Sequence, residues 1–289
     1  NSSVNITVNG NVQCSVTCGT INVGNTFIHS VAANRSFGTN VAVGTNWTFN
    51  NLTFDGSANS PVVTFNGTGT GQTIVAGNLA LTKSGTALTV NDTTNNRIID
   101  VDNDISLASG TTLQAPPSAS FTVGGSWANA GTFTHSSGTV IFNATSTGKT
   151  INAGTASPFN NVSFNGSGGG WTVQANAATM NGDLLMIAGT LGSSVNISVG
   201  GNVQCLVTCG TINVGNTFTQ SVSSSKSFGT NVAVGTNWTF NNLTFDASAN
   251  SPTITFNGTG TGQTVVTGDL AFTKTGGTSL VVDDGTNNR

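Results

Sequence analysis

The chain has 289 residues, of which 36% are apolar and only 6% charged, with a formal net charge of −3. Its seven Lys plus Arg are scattered singly and form no cationic stripe for a phosphate backbone, which argues against a nucleic-acid partner. No apolar run approaches the roughly twenty residues needed to cross a bilayer, so no membrane insertion is expected from this segment.

Polarity comes from Ser, Thr, Asn and Gly, with no Glu and no Tyr, while 16 Phe supply material for a core. A weakly charged surface offers little mutual repulsion, and such molecules associate side by side.

Short alternating segments recur in chain order: Asn5 to Val8, Thr20 to Val23, Thr139 to Phe142, Asn161 to Phe164 and Asn196 to Val199. Period two with β-branched and aromatic residues predicts half-buried strands. Asn-Gly, Gly-Gly, Asp-Gly and Gly-Asn pairs between them supply tight corners. No stretch reads as a helix. The nearest candidate, Thr179 to Ala188, contains Asn181-Gly182-Asp183 and reads as a corner followed by a strand from Leu184 to Ile187.

A block of about one hundred residues occurs twice, with a period of about 190 residues. Ser36 to Asp55 recurs letter for letter as Ser227 to Asp246, and Cys18 to Phe27 as Cys209 to Phe218. The chain therefore divides into a first copy (1–97), an intervening part (98–191) and a second copy (192–289). Units that repeat leave apolar ends for their neighbours to cover, so the chain reads as an excerpt, or a polymerising subunit, of something longer.

A shorter rhythm lies inside the long one. The pattern Phe-Asn-(Gly/Ala)-(Thr/Ser) starts at Phe65, Phe142, Phe164 and Phe256. The interval from Phe142 to Phe164 predicts an all-β fold, a β-solenoid (parallel β-helix) of roughly 22-residue coils, with Phe laddered in the interior where Tyr would leave its hydroxyl dry. The competing architecture is a string of tandem β-sandwich domains of about 95 residues.

The run from Phe121 to Gly154, followed by Phe159 to Ala175 and Gly182 to Leu191, resembles repeats of very large secreted surface proteins of bacteria and archaea. Those look like β-helical stalks and adhesins, similar in style to filamentous-haemagglutinin and autotransporter passenger regions. The resemblance is best over residues 121–203, and it implies a β-solenoid displayed outside the cell.

Few residues suggest chemistry. Cys14 and Cys18, with copies Cys205 and Cys209, are the only thiols. Residues four apart on a straight strand lie about 13 Å apart, so a local disulfide requires a tight bend. That disulfide is the expected state in a secreted protein; buried free thiols and a bond between protomers are alternatives, and the absence of a nearby His disfavours zinc. Asp100, Asp102 and Asp104 would line one face of a strand about 7 Å apart, which suits either a solvated loop or a corner calcium site; no other cofactor is suggested. Ile105 and Thr111 occupy the positions where a helix-flanked calcium loop needs Gly and Glu, so that version is excluded.

His29 becomes Gln220 in the second copy and Arg35 becomes Lys226, an exchange that argues against a catalytic histidine. His29 and His135 are therefore expected to be lone surface imidazoles. Asn46, Asn51 and Asn66, with copies Asn237, Asn242 and Asn257, keep the Asn-x-Ser/Thr motif and are the favoured glycosylation positions, although sequons are abundant by chance in such a composition. Trp47, Trp127, Trp171 and Trp238 read as core residues beside corners, with stacking on sugar rings as the alternative.

These features favour a non-catalytic extracellular structural protein at the cell surface, forming a fibre, stalk or sheath by stacking. Its expected partners are other copies of itself, end to end or laterally. A carbohydrate-binding adhesin that holds surface glycans is the alternative. A polysaccharide-degrading enzyme is a weaker one, because only Asp100 to Asp104, with Lys149 a distant companion, provides acidic groups.

Overall fold

The computed structural model describes residues 2–12, 21–37, 46–65, 72–93, 96–205, 210–229, 237–248, 251–256, 262–274 and 279–283. All regular structure among them is β-strand, and each strand pairing in register is parallel. The strands wind as a β-solenoid of about nine turns, with coils roughly 25 residues apart. The sandwich alternative would need antiparallel pairs, and the described residues hold none in register.

The 22-residue coil is too short as a general rule. Bonded residues on successive coils lie 19 apart at Asp183 and Asn202, but 28 apart at Asn34 and Val62. Corners absorb the difference: between Val23 and Thr26 the register shifts against the next coil, and Gly24-Asn25 forms the excess. No helix among the described residues is long and apolar enough to cross a membrane.

The chain divides into two compact units, one of Asn1–Val140 with Gly154–Ser157, the other of Ile141–Ala153 with Pro158–Arg289. Each holds one copy of the duplicated block together with part of the intervening stretch.

In the first unit one face stacks Ile6, Phe27, Leu52, Leu79, Ile105 and Trp127 in sequence. A second stacks Val23, Phe49, Val75, Val101 and Val123. A third is a separate five-stranded sheet in which Val63, Val90, Leu113 and Phe133 are in register. The strand Trp47–Gly56 shows how one segment serves two faces: Trp47 and Phe49 point inward, Asn50 and Asn51 turn the corner, and Leu52 and Phe54 point inward again. Two successive outward residues reset the alternation, which a single unbroken period of two would not do.

In the second unit the corresponding faces stack Val173, Ser193, Val214, Phe240 and Val266, then Leu184, Val203, Phe228 and Phe256, then Ala178, Ile197, Phe218, Leu243 and Leu270. Phe142 and Phe164 lie stacked, with centroids 5.2 Å apart and planes at 15°, as their spacing predicted.

The duplicated letters build the same aromatic hub twice. Phe37 meets Phe27, Trp47, Phe49, Phe54 and Phe65. Phe228 meets Phe218, Trp238, Phe240, Phe245 and Phe256. Burying one such ring stabilises by about 1.5–3 kcal/mol, and edge-to-face pairing adds to it.

Candidate functional site

The coils are joined at their corners by side chains as well as by backbone. The carboxamide oxygen of Asn51 accepts from the N–H of Asn78 (2.9 Å), that of Asn78 from Asp104 (3.2 Å), and the carboxylate of Asp104 from Ser126 (2.7 Å). In the second unit Asn161, Asp183 and Asn202 accept in turn from Asp183, Asn202 and Ser227. Asn242 accepts from Asp269, and Asn5 from Thr26. At each corner the N–H of the residue before an inward apolar side chain points to the preceding coil, where a short Asn or Asp side chain receives it. Such side chains suit corners because they reach the backbone without a long, entropically costly stem.

The ladder packs tightly. A Cβ at Gly77 would collide with the carbonyl oxygen of Asn50, and at Gly268 with that of Asn241, so only glycine lets the Asn78 and Asp269 corners sit this close. At a second corner Asn46 and Asn237 accept from Gln72 (3.0 Å) and Gln263 (2.9 Å). The sequon residues Asn46, Asn51, Asn237 and Asn242 thus each have a structural task in the carboxamide oxygen. Asn66 and Asn257 lie outside the described residues.

Asp55 is a heavily bonded acid. It accepts from the Ser84 N–H (2.7 Å) and hydroxyl (2.6 Å), from Thr82 (3.0 Å) and from Ser30 (3.2 Å). Burial alone would raise its pKa, but the bonds from Ser84, Thr82 and Ser30 outweigh that and hold it below the ordinary value. Its copy Asp246 accepts from Thr273 and Ser221 in the same way. Sequence reading missed this pair, because Asp55 ends a segment identical in both copies and nothing singles it out there.

Asp92 and Arg97 are both buried, and the backbone N–H of Arg97 reaches both carboxylate oxygens, at 3.1 and 3.0 Å. Burial pushes Asp92 up to about 7, against the hydrogen bond and charge of Arg97. Burial likewise lowers Arg97, opposed by the Asp92 charge.

His29 is not a surface imidazole. It is fully buried, in register between Val8 and Phe54, beside the rings of Phe37 and Phe54. The alternation Phe27, His29, Val31 puts it in the inward phase, and its Nε2 lies 2.7 Å from the carbonyl oxygen of Gly10. Burial pushes its pKa down; the Gly10 bond works the other way, and the Arg35 charge adds to the fall. His135 is half-buried, and its Nδ1 accepts from Ser137 N–H.

The acidic string does not converge. Asp100 accepts from the Thr122 hydroxyl, Asp102 is exposed at the corner, and Asp104 belongs to the ladder. The Asp102 pKa is raised by burial and by the Asp100 charge. Among the described residues no three His, Cys, Asp or Glu side chains group as metal ligands. Cys14, Cys18 and Cys209 lie outside the described residues; Cys205 is buried. All four tryptophans are buried, and Trp238 donates to the Gly210 carbonyl at 3.0 Å, so none presents a face to a sugar.

The large apolar side chains that stand exposed among the described residues are Val4 at 65%, Leu270 at 51%, Phe272 at 56% and Val281 at 49%. They belong to the first and last described coils.

Comparison with protein-family models, with curated proteins and with solved structures returned no match to this chain.

Proposed function

We propose that the chain is a non-catalytic extracellular structural protein that forms or extends a surface fibre, stalk or sheath by stacking solenoid coils. The observation that supports this reading is the continuity of the stack, in which successive parallel coils cover one another's apolar side chains. Leu79 and Leu81, for example, are 3% and 1% exposed, held between Leu52 and Phe54 of one coil and Ile105 and Leu107 of the next. A stack of this kind extends by adding like rungs, since each parallel rung offers its neighbour both apolar side chains and backbone partners.

Asp104 and Asp183 accept backbone N–H groups of the following coil, which favours a structural part for them over a catalytic one. The partners are other copies of the chain, and the cell surface is the location that the resemblance of residues 121–203 implies. Local disulfides Cys14–Cys18 and Cys205–Cys209 belong to the same reading, since an exported protein meets an oxidising compartment.

Sedimentation and negative-stain imaging across a range of concentrations test the proposal. Filaments with an axial repeat of about 4.8 Å support it. Monomers at every concentration overturn it, and glycan binding by those monomers would transfer the role to adhesion.

A further inference from the structure

We infer that Asn143 and Asn165, on successive coils of the second unit, are the positions at which the folded chain accepts an N-linked oligosaccharide. This rests on the extracellular role proposed above and adds a modification site to it.

Asn-x-Ser/Thr sequons recur along the chain, and the structure sorts them by what their side chains already do. The corner sequons of the duplicated block spend their carboxamide oxygens on a neighbouring coil, as described above. Asn5, Asn34, Asn161 and Asn196 do the same, toward the N–H groups of Thr26, Val62, Asp183 and Thr217. In Asn91-Asp92-Thr93 the carboxamide oxygen takes both the N–H and the hydroxyl of Thr93, each at 2.8 Å. Swinging any of these carboxamides out to a transferase strands an N–H that the fold has already paired.

The sequons Asn143-Ala144-Thr145 and Asn165-Gly166-Ser167 differ. Asn143, Thr145, Asn165 and Ser167 are all exposed, and among the described residues none of their side chains is hydrogen-bonded. The strand phase explains this. Phe142 and Phe164 point inward, so Asn143 and Asn165 point outward, and the buried Ala144 and Gly166 return the outward phase to Thr145 and Ser167. Carboxamide and hydroxyl of one sequon therefore share a face.

The interior holds both positions in place. The stacked rings of Phe142 and Phe164 set the two corners one above the other, and Gly166 lies where a Cβ would collide with the Ala144 carbonyl oxygen. Beyond Asn165 the register shifts against the next coil and Gly168 takes a φ of +80°, so a bulge rather than a bonded corner follows the acceptor. The Phe-Asn-(Gly/Ala)-(Thr/Ser) pattern that marks the interior ladder thus marks, one residue on, an outward acceptor.

In the transfer, the carboxamide Nδ2 forms a bond to the anomeric carbon of a sugar carried on a lipid pyrophosphate. The bond from that carbon to the phosphate oxygen breaks, the pyrophosphate leaves with its electron pair, and one carboxamide proton passes to a base of the transferase. A sugar at these corners is bulky and solubilising. It keeps one outer edge of a weakly charged chain away from its neighbours and leaves untouched the backbone bonds that stack the coils.

The experiment incubates the folded chain with a lipid-linked oligosaccharide and an oligosaccharyltransferase that reads Asn-x-Ser/Thr, then maps the peptides by mass. The expected result is sugar on Asn143 and Asn165, at initial rates about tenfold or more above those of Asn51 and Asn242. Asn143→Gln and Asn165→Gln should each remove one modified peptide and leave the melting midpoint in place. In the denatured chain Asn51 and Asn242 should become acceptors too, because unfolding releases their carboxamides.

No transfer to Asn143 and Asn165 in the folded chain, with transfer to them in the denatured one, overturns the inference. Equal rates at Asn51 or Asn242 in the folded chain overturn it as well. Location is read separately, by fractionating the cells that make the chain: confinement inside the cell overturns the extracellular role and leaves the acceptor chemistry standing.

Discussion

His29 and Gln220 occupy corresponding interior positions in the two copies, and each places a side-chain nitrogen on the carbonyl of a corresponding glycine. The contacts are 2.7 Å to Gly10 and 2.8 Å to Gly201. Imidazole and carboxamide are interchangeable here because the position asks for a buried donor of the right reach, and only the imidazole can take up a further proton.

That difference makes the first copy acid-sensitive at a defined point. Burial lowers the folded-state pKa of His29 below its unfolded value near 6.5, so its contribution is complete above that pH and lost as pH falls toward the folded value. His29→Gln should melt within about 2 °C of the parent at pH 8 and several degrees above it at pH 5. Equal midpoints of parent and variant at pH 5 would contradict this.

The Asp92–Arg97 pair carries the opposite sign. Asp92 titrates in the folded chain at about 7, above its unfolded value, so its contribution is present below about pH 4 and lost as pH climbs to about 7. Arg97→Leu removes the countercharge from a buried carboxylate and should cost about 3–5 kcal/mol at pH 8. The cost should shrink at pH 5, where Asp92 is protonated. Denaturant melts at the two pH values measure the difference.

Phe37 and Phe228 offer a control that few proteins contain. Their hubs share geometry, with Phe37 and Phe54 at 5.0 Å and Phe228 and Phe245 at 5.2 Å. Phe37→Ala and Phe228→Ala should each cost about 3–5 kcal/mol, in separate units, as read from chemical denaturation. A loss in only one variant would mean that the equal surroundings do not carry equal stability.

The cysteines are checked by mass. Alkylation of the folded, unreduced chain should leave all four unmodified, and reduction should expose them in pairs, with peptides linking Cys14 to Cys18 and Cys205 to Cys209. Labelling without reductant would remove the disulfide reading.

Much of the architecture was legible because it depends on local pattern. Phe142 and Phe164 announced their stacking through spacing, and the strand from Leu184 was marked by the Asn181-Gly182-Asp183 corner before it. Coil length was less legible, since corners such as Gly24-Asn25 take variable numbers of residues without changing the inward pattern. Asp55 was illegible as a hub, because its partners Ser30 and Ser84 come from neighbouring coils and only the register identifies them. His29 was legible in phase and misread in place, because exchange for Gln does not report burial. The ladder residues were visible as sequons, and their structural use appears only when Asn51 and Asn78 are placed one above the other.

The letter-for-letter identity of Ser36 to Asp55 and Ser227 to Asp246 has a kinetic side. Either segment fits the other's cradle, so a chain released from denaturant faces swapped windings of nearly equal energy, within one molecule or between two. A ribosome delivers the first segment well before the second, and early winding removes that ambiguity. Test-tube renaturation has no such ordering, and its yield should fall as concentration rises.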